Sequence, residues 1–166
     1  MAPVTKILVP TDFSETADAA LEYAKALAGQ LGASLHLLHV FSDPYAAAAC
    51  APEVYAPPPP SLREQAKEQA RECLRQRLSA DEEKSGGTWD MVSGLTAKQI
   101  VAYADEHALD LIVMGTHGRR GVAHLLLGSV AEHVVRTAVC PVLTVRSPGG
   151  ERRRQADVIE RTDKVA

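Results

Sequence analysis

The stretch Leu111-Ile112-Val113-Met114-Gly115-Thr116-His117-Gly118, followed after nine residues by Gly128-Ser129, decides the fold. Its apolar start is typical of a strand buried on both faces, and the residues after Ser129 have helical spacing. A strand, a glycine-bearing loop and a helix start in this order favour phosphate binding. Backbone N–H groups and the helix dipole attract anions, and glycine lets the backbone approach them closely.

Strand-like and helix-like segments alternate along the rest of the chain. Apolar runs predict strands over residues 4–10, 35–41, 88–93, 109–114 and 141–145. Helical spacing of apolar residues predicts a helix in each of the four intervals. The alternation predicts an α/β fold, a single open five-stranded, mostly parallel sheet with helices on both faces and right-handed crossovers.

Helix ends are predicted from capping residues. Ser14 is expected to cap the first helix, and Gly32 to end it in a left-handed turn. The later helices are each expected to begin at a capping box, in which a Ser or Thr side chain and a Glu or Gln three residues on bond each other's backbone. The three predicted boxes are Ser61 with Glu64, Thr96 with Gln99, and Ser129 with Glu132.

Two segments depart from the alternation. Residues 42–60 contain four consecutive prolines, which resist both helix and central strand, so we expect a surface excursion there. Residues 147–166 carry Arg152-Arg153-Arg154 and nearly balanced charges, which predicts a solvated, flexible tail. Residues 1–146 are therefore expected to form one domain.

The composition is that of an ordinary globular protein. Of 166 residues, 46% are apolar and 23% charged, and the formal net charge is −3. Without a basic excess, no nucleic-acid partner is expected. No segment has the roughly 20 apolar residues needed to cross a bilayer, and the start of the chain lacks a signal-peptide pattern. The scattered Cys50, Cys73 and Cys140 fit a reducing environment, so we expect a soluble cytoplasmic protein.

A candidate site follows from the predicted topology. Ligands of parallel sheets bind outside the carboxyl ends of strands, where strand order reverses. Thr11-Asp12 follows the first strand and Gly115 ends the fourth. If these two strands are neighbours, both loops face one cleft. The six histidines show no paired-ligand spacing, so no metal site formed by the protein alone is predicted.

The chain resembles the universal stress proteins over residues 3–146. The ATP-binding members of that family carry Gly-x2-Gly-x9-Gly-Ser/Thr, which is present here as Gly115, Gly118, Gly128 and Ser129. Three further segments match the family in order along the chain. They are Val9-Pro10-Thr11-Asp12, Leu37-Leu38-His39-Val40 and Cys140-Pro141-Val142-Leu143-Thr144-Val145-Arg146.

The resemblance implies a Rossmann-like fold of the adenine nucleotide alpha hydrolase type, with ATP, AMP or ADP as ligand and Mg²⁺ balancing the phosphate charge. It implies that Asp12 contacts the ribose hydroxyls. The implied adenine and ribose pocket consists of Pro10, Thr11, Val40 and Met114, the loop around the ribose and phosphates contains Gly115, His117, Gly118 and Arg119, and the phosphate-binding helix start is Gly128, Ser129 and Val130. It also implies a homodimer paired through strand 141–146, and a protein partner that the sequence does not name.

Each of these residues also has a purely structural interpretation. Ser129 with Glu132 is explained by helix capping alone, and Asp12 by a turn after a strand. Arg119 and Arg120 either reach the terminal phosphates or are only solvated. The functional interpretation rests on several modest signals at matching positions of one fold.

Three functions are compatible with these features. The glycine loop is not a Walker A motif, because no Gly-Lys-Ser/Thr follows, so fast hydrolysis is not expected. The favoured hypothesis is a dimeric, ATP-binding stress-response sensor or regulator, whose nucleotide occupancy shifts a conformation or partner surface. A slow ATPase or self-phosphorylating enzyme is the alternative. A nucleotide-free interaction module is the third, and the intact glycine pattern argues against it.

Overall fold

Strands and helices alternate along the computed structural model, which describes residues 3–42, 59–116 and 127–146. The described strands are β1 (Lys6–Pro10), β2 (Ser34–Phe41), β3 (Thr88–Ser93), β4 (Leu111–Gly115) and β5 (Val142–Val145). The described helices are α1 (Glu15–Leu31), α2 (Pro60–Arg75), α3 (Ala80–Lys84), α4 (Thr96–Glu106) and α5 (Ser129–Thr137). Of the excursion predicted at 42–60, residues 43–58 lie outside the described residues, as does the tail at 147–166, while Pro60 is the first residue of α2.

The five strands form one parallel sheet in the order β3-β2-β1-β4-β5. The central strand β1 pairs with β2 on one side and with β4 on the other, where Leu8 is opposite Ile112. Strand order therefore reverses between β1 and β4. The predicted α/β fold is confirmed, and so is the condition that the first and fourth strands are neighbours.

Helices cover both faces of this sheet, because successive side chains of each strand point to opposite sides. On one face, Ile7, Val9 and Leu37 pack with α1 and with Leu74 of α2. On the other face, Leu8, Leu38 and Ile112 pack with residues of α4 and α5. Burial of all six strand side chains at 0% exposure makes β1, β2 and β4 the rigid centre of the molecule.

The ends of α1 follow the predicted chemistry. The Ser14 side chain accepts a hydrogen bond from the Ala17 backbone N–H at 3.3 Å. Gly32 ends the helix with φ of 66°, a left-handed conformation that suits glycine. Both predictions are confirmed.

The three predicted capping boxes are wrong. The N-cap residues of α2, α4 and α5 are Pro59, Leu95 and Gly128, and none has a side-chain capping bond. Ser61, Thr96 and Ser129 lie one or two residues inside their helices, too late to cap them. In α2 the tandem prolines start the helix, because proline is favoured at the first helical position.

The segment after α2 also differs from prediction. One helix was predicted between the second and third strands, but α2 ends at Arg75 and the five-residue α3 follows. A capping box that the sequence analysis did not identify starts α3, where Ser79 and Glu82 bond each other's backbone. Leu62, whose helical spacing would place it on the apolar face of α2, is 52% exposed.

Two strands begin two residues later than predicted, β4 at Leu111 rather than 109 and β1 at Lys6 rather than 4, while boundaries of β2, β4 and β5 shift by one residue. Within the described ranges, each helix is too short or too polar to cross a bilayer.

Candidate functional site

Several predicted site residues meet at the carboxyl edge of the sheet. Pro10 is the last residue of β1, Met114 is the last but one of β4, and Val40 is the last but one of β2. The three are buried, and by strand alternation they share the α4 and α5 face with Leu8, Leu38 and Ile112. The fold thus places the three apolar residues predicted for the adenine and ribose pocket on one side of neighbouring strands.

The loop after β1 is a hydrogen-bonded turn. The Thr11 N–H donates to the Leu38 carbonyl at 2.8 Å, which continues the β1–β2 pairing beyond the strand. The Thr11 hydroxyl accepts from the Phe13 N–H at 3.0 Å, and Asp12 Oδ1 accepts from the Ser14 N–H at 3.1 Å. The turn interpretation of Asp12 is confirmed, and its ribose contact stays a prediction.

His39 lies on β2 beside this turn, and no role was predicted for it. Its Nδ1 lies 2.8 Å from the Thr11 carbonyl oxygen. A carbonyl oxygen only accepts, so Nδ1 carries the hydrogen. The one available signal was the position of His39 within Leu37-Leu38-His39-Val40, which was quoted for the resemblance alone.

The start of α5 presents main-chain donors. The Gly128 N–H donates to the Thr116 carbonyl at 2.7 Å. The next three amides, from Ser129 to Ala131, precede the first intrahelical bond, which runs from Glu132 N–H to the Gly128 carbonyl at 2.9 Å. The N-cap residue Gly128 has no side chain to bond these three donors. The capping interpretation of Ser129 is therefore wrong, and the helix start is suited to binding an anion at this edge.

Thr116 is a second residue that the sequence analysis missed. It is 3% exposed and lies directly after β4. Its N–H donates to the Val145 carbonyl at 2.9 Å, while its own carbonyl holds Gly128. Thr116 therefore joins the end of β4, the end of β5 and the start of α5. No sequence motif indicates this, because the bonds use only backbone atoms.

Gly115 contacts α1. A Cβ placed on Gly115 would lie 2.9 Å from Thr16 Cγ2 and 3.0 Å from the Thr16 carbonyl oxygen. The missing side chain is therefore required by the close approach of the first turn of α1. The proposed contact of Gly115 with a nucleotide remains a prediction. His117, Gly118 and Arg119 lie outside the described residues, as does Arg120.

The opposite, amino edge of the sheet has different chemistry. Asp110 Oδ2 accepts bonds from the Thr5 N–H at 2.8 Å, the Thr5 hydroxyl at 2.9 Å and the Lys6 N–H at 2.9 Å. These bonds, the Thr5 backbone first, lower the pKa of Asp110. Burial, followed by the charges of His107 and Lys6, lowers the pKa of His36. Both groups lie at a distance from the candidate site.

Two further features bear on ligands. A cleft of about 480 Å³ lies near the amino edge between the end of α1 and α3, and its lining includes Lys25, Gly29 and Glu82. It contains none of the predicted nucleotide-binding residues. The described residues hold no cluster of three His, Cys, Asp or Glu side chains able to bind a metal ion.

Comparison with known proteins gives one consistent result. A family model described as the universal stress protein family matches residues 3–146. The chain is 35% identical over 150 residues to a protein of Methanocaldococcus jannaschii named universal stress protein MJ0531, with 88% of this chain and 84% of that protein covered.

Solved structures agree with this match. The structure of MJ0577, a protein of the same organism, superposes with a TM-score of 0.72 at 32% identity, covering 87% of this chain and 97% of the other. A universal stress protein solved in complex with cAMP superposes with a TM-score of 0.60 at 25% identity, covering 88% and 99%.

Proposed function

Because the chain belongs to the universal stress protein family, we propose that it binds an adenine nucleotide at the carboxyl edge of its sheet, with ATP as the preferred form. The ligand lies across the point between β1 and β4 where strand order reverses, as ligands of open α/β sheets do. A relative in complex with cAMP supports the choice of an adenine nucleotide.

The observation that carries the proposal is the start of α5. Three consecutive amides from Ser129 to Ala131 have no intrahelical acceptor, and the N-cap residue is a glycine with no side chain to bond them. An anion at this point gains several N–H bonds and the favourable end of the helix dipole. The exposed Ser129 at the first helical position adds a hydroxyl to the same set. Phosphate groups match this donor set.

The nucleoside end is assigned to the neighbouring strand ends. Pro10, Val40 and Met114 supply apolar contacts for the adenine and ribose. Asp12 accepts hydrogen bonds from the ribose hydroxyls, for which a carboxylate is suited. Gly115, His117, Gly118 and Arg119 complete the site by resemblance, and so do Gly128 and Val130 at the helix start.

Mg²⁺ is proposed to bind mainly through the phosphates. It commonly keeps several waters and uses one or two protein ligands together with substrate phosphates. The described residues, which offer no cluster of metal-ligating side chains, fit that mode rather than a cage formed by the protein.

The proposed role is that of a dimeric, nucleotide-dependent regulator of a stress response in the cytoplasm. Strand β5 is at one end of the sheet order, and its pairing within the described chain is with β4. A parallel or antiparallel partner strand at 141–146 would cover this apolar edge. The protein partner of such a regulator is not identified by the sequence.

The experiment that tests nucleotide binding uses titration calorimetry with ATP and mass spectrometry of ligand released from the purified protein. Gly118→Val is expected to abolish measurable ATP binding, because a branched side chain would stand where the phosphates lie. The matched control is Gly29→Val on α1, where an added Cβ meets no atom within 4 Å. The control should bind as wild type does. A wild-type protein that binds no adenine nucleotide at millimolar concentration would overturn the proposal.

A further inference from the structure

The turn that carries Asp12 is held in an unfavourable backbone conformation. Phe13 has φ of 64°, in the left-handed region that an aromatic residue rarely adopts. Such a conformation persists only where surrounding contacts over-determine it, and it is most frequent at functional sites. Phe13 directly follows Asp12, so the contacts that hold Phe13 also constrain Asp12.

Two side chains from other elements contact the Phe13 ring. The His39 ring on β2 stacks on it, with centroids 4.5 Å apart and planes inclined by 28°. The Arg77 guanidinium carbon lies 4.8 Å from the ring centroid. Both contacts are of types that stabilise an aromatic ring in a defined position.

Arg77 is itself fixed from two sides. Its Nε donates to Asp18 Oδ1 at 2.9 Å, and Nη2 donates to Asp18 Oδ2 at 3.4 Å. Its Nη1 donates to the Cys73 carbonyl at 3.1 Å. Asp18 lies on α1 and Cys73 on α2, so Arg77 connects both helices to the ring of Phe13.

His39 acts on Asp12 through the backbone as well. The Thr11 carbonyl that accepts its Nδ1–H belongs to the peptide group joining Thr11 to Asp12. That bond fixes the plane of the peptide before Asp12, while the Ser14 N–H holds Asp12 Oδ1 from the other side. The Asp12 carboxylate is thus oriented by contacts before and after it in the chain.

We propose that His39, together with Phe13 and Arg77, is a positioning residue that orients the Asp12 carboxylate toward the ribose hydroxyls of the bound nucleotide. This inference rests on the proposed nucleotide-binding function. Preorganisation of the carboxylate removes part of the ordering cost of binding, so its loss weakens affinity for ligands that carry ribose hydroxyls.

The test compares ATP with 2′,3′-dideoxy-ATP, which has the same base and phosphates but lacks the ribose hydroxyls. His39→Phe keeps a ring against Phe13 and removes the Nδ1–H donor. It should weaken ATP binding by about tenfold, the effect of one lost hydrogen bond, and leave dideoxy-ATP binding nearly unchanged. His39→Asn, whose Nδ2 stands close to the position of Nδ1, should recover most of the ATP affinity.

Two controls separate positioning from general damage. His36→Phe makes the same substitution on the same strand at the opposite edge, and it should not alter either affinity. In an Asp12→Ala background, His39→Phe should have no further effect on ATP binding, because its effect passes through Asp12. Melting temperatures of all variants identify any that do not fold.

Arg77→Gln provides a second, independent variant at a partly exposed side chain, and keeps the proposal testable if His39→Phe fails to fold. It should weaken ATP binding about threefold and leave the binding of dideoxy-ATP nearly unchanged. Equal weakening of both ligands, or no weakening of either, would overturn the positioning role while leaving nucleotide binding intact. Absence of ATP binding by the wild-type protein would instead overturn the proposed function, and this inference with it.

Discussion

Gly115 has no side chain because the first turn of α1 packs directly against it. The family resemblance implies that this glycine belongs to a nucleotide-binding loop, whereas in the structure it has a packing role at the end of β4. The motif was identified from sequence, but the reason for one of its glycines depends on Thr16, 99 residues earlier in the chain. Such a contact is visible only once β1 and β4 are adjacent.

Gly115→Ala should destabilise the fold. The new Cβ would lie 2.9 Å from Thr16 Cγ2 and 3.0 Å from a backbone oxygen, so β4 or α1 must shift. We expect a loss of roughly 1–3 kcal/mol in the free energy of unfolding, measured by urea titration. Gly29→Ala on the exposed side of α1 is the control and should raise stability by about 0.5–1 kcal/mol. Unchanged stability of Gly115→Ala would contradict the packing role.

His36 should make stability depend on pH. Its folded-state pKa lies below the ordinary value of 6.5, first because of burial and then because of His107 and Lys6. The unfolded chain therefore binds the proton more tightly, and stability rises with pH from the folded-state pKa up to about 6.5. His36→Asn, whose amide can still bond Thr88, should flatten this slope in urea unfolding at about pH 5 and about pH 8. A variant that keeps the full slope would exclude His36 as its source.

Ser14 and Ser129, the serines predicted to cap α1 and α5, occupy different positions at the starts of their helices. Ser14 precedes α1 and caps it, whereas Ser129 is the first residue of α5 and follows a glycine N-cap. The ends of α1 were predictable, since Ser14 and Gly32 act through local bonds. The start of α5 was not, because Gly128 is fixed by the Thr116 carbonyl, a contact made by the tertiary fold.

Ser14→Ala and Ser129→Ala form a matched pair that tests this difference. Ser14→Ala should lower the free energy of unfolding by about 1 kcal/mol through loss of the cap. Ser129→Ala should leave the free energy of unfolding nearly unchanged and weaken ATP binding by removing a hydroxyl from the phosphate site. Circular dichroism melts and titration calorimetry measure the two effects. Equal destabilisation by both substitutions would restore the capping role to Ser129.

At the scale of the whole molecule, β5 is an edge strand, and its hydrogen bonds to β4 show which of its N–H groups point away from the sheet. The carbonyls of Pro141 and Val145 accept hydrogen bonds from the N–H groups of Ile112 and Thr116. The N–H and C=O groups of the odd-numbered residues along β5 therefore point toward β4. By the alternation of a parallel ladder, the N–H of Thr144 faces away from the sheet. That N–H is available to a second copy of the chain.

Thr144→Pro should therefore give a folded monomer if the proposed dimer pairs through β5. Proline is tolerated on an edge strand where the missing N–H faces outward, but it cannot donate to a partner strand. Size-exclusion chromatography with light scattering measures the change in mass, and Thr144→Val is the control that should stay dimeric. Two outcomes argue against pairing through this strand: a wild-type monomer at micromolar concentration, or a Thr144→Pro dimer.

The alternation of elements predicted a parallel α/β sheet but not the order of its strands, because the adjacency of β1 and β4 entered only as a condition. The side-chain contacts that hold the turn after β1 were not predictable from the sequence either. His39, Phe13 and Arg77 come from three separate parts of the chain, and their stacking depends on a left-handed backbone at Phe13 that no sequence pattern indicates.

The bond between Thr116 and Gly128 also has an evolutionary consequence. Because it ties together the two ends of the intervening stretch, the free-energy cost of closing that stretch depends only weakly on its length. Each doubling of its length would add only about 0.6 kcal/mol. Insertions and deletions between these anchors are therefore expected to leave the sheet beneath them unaltered.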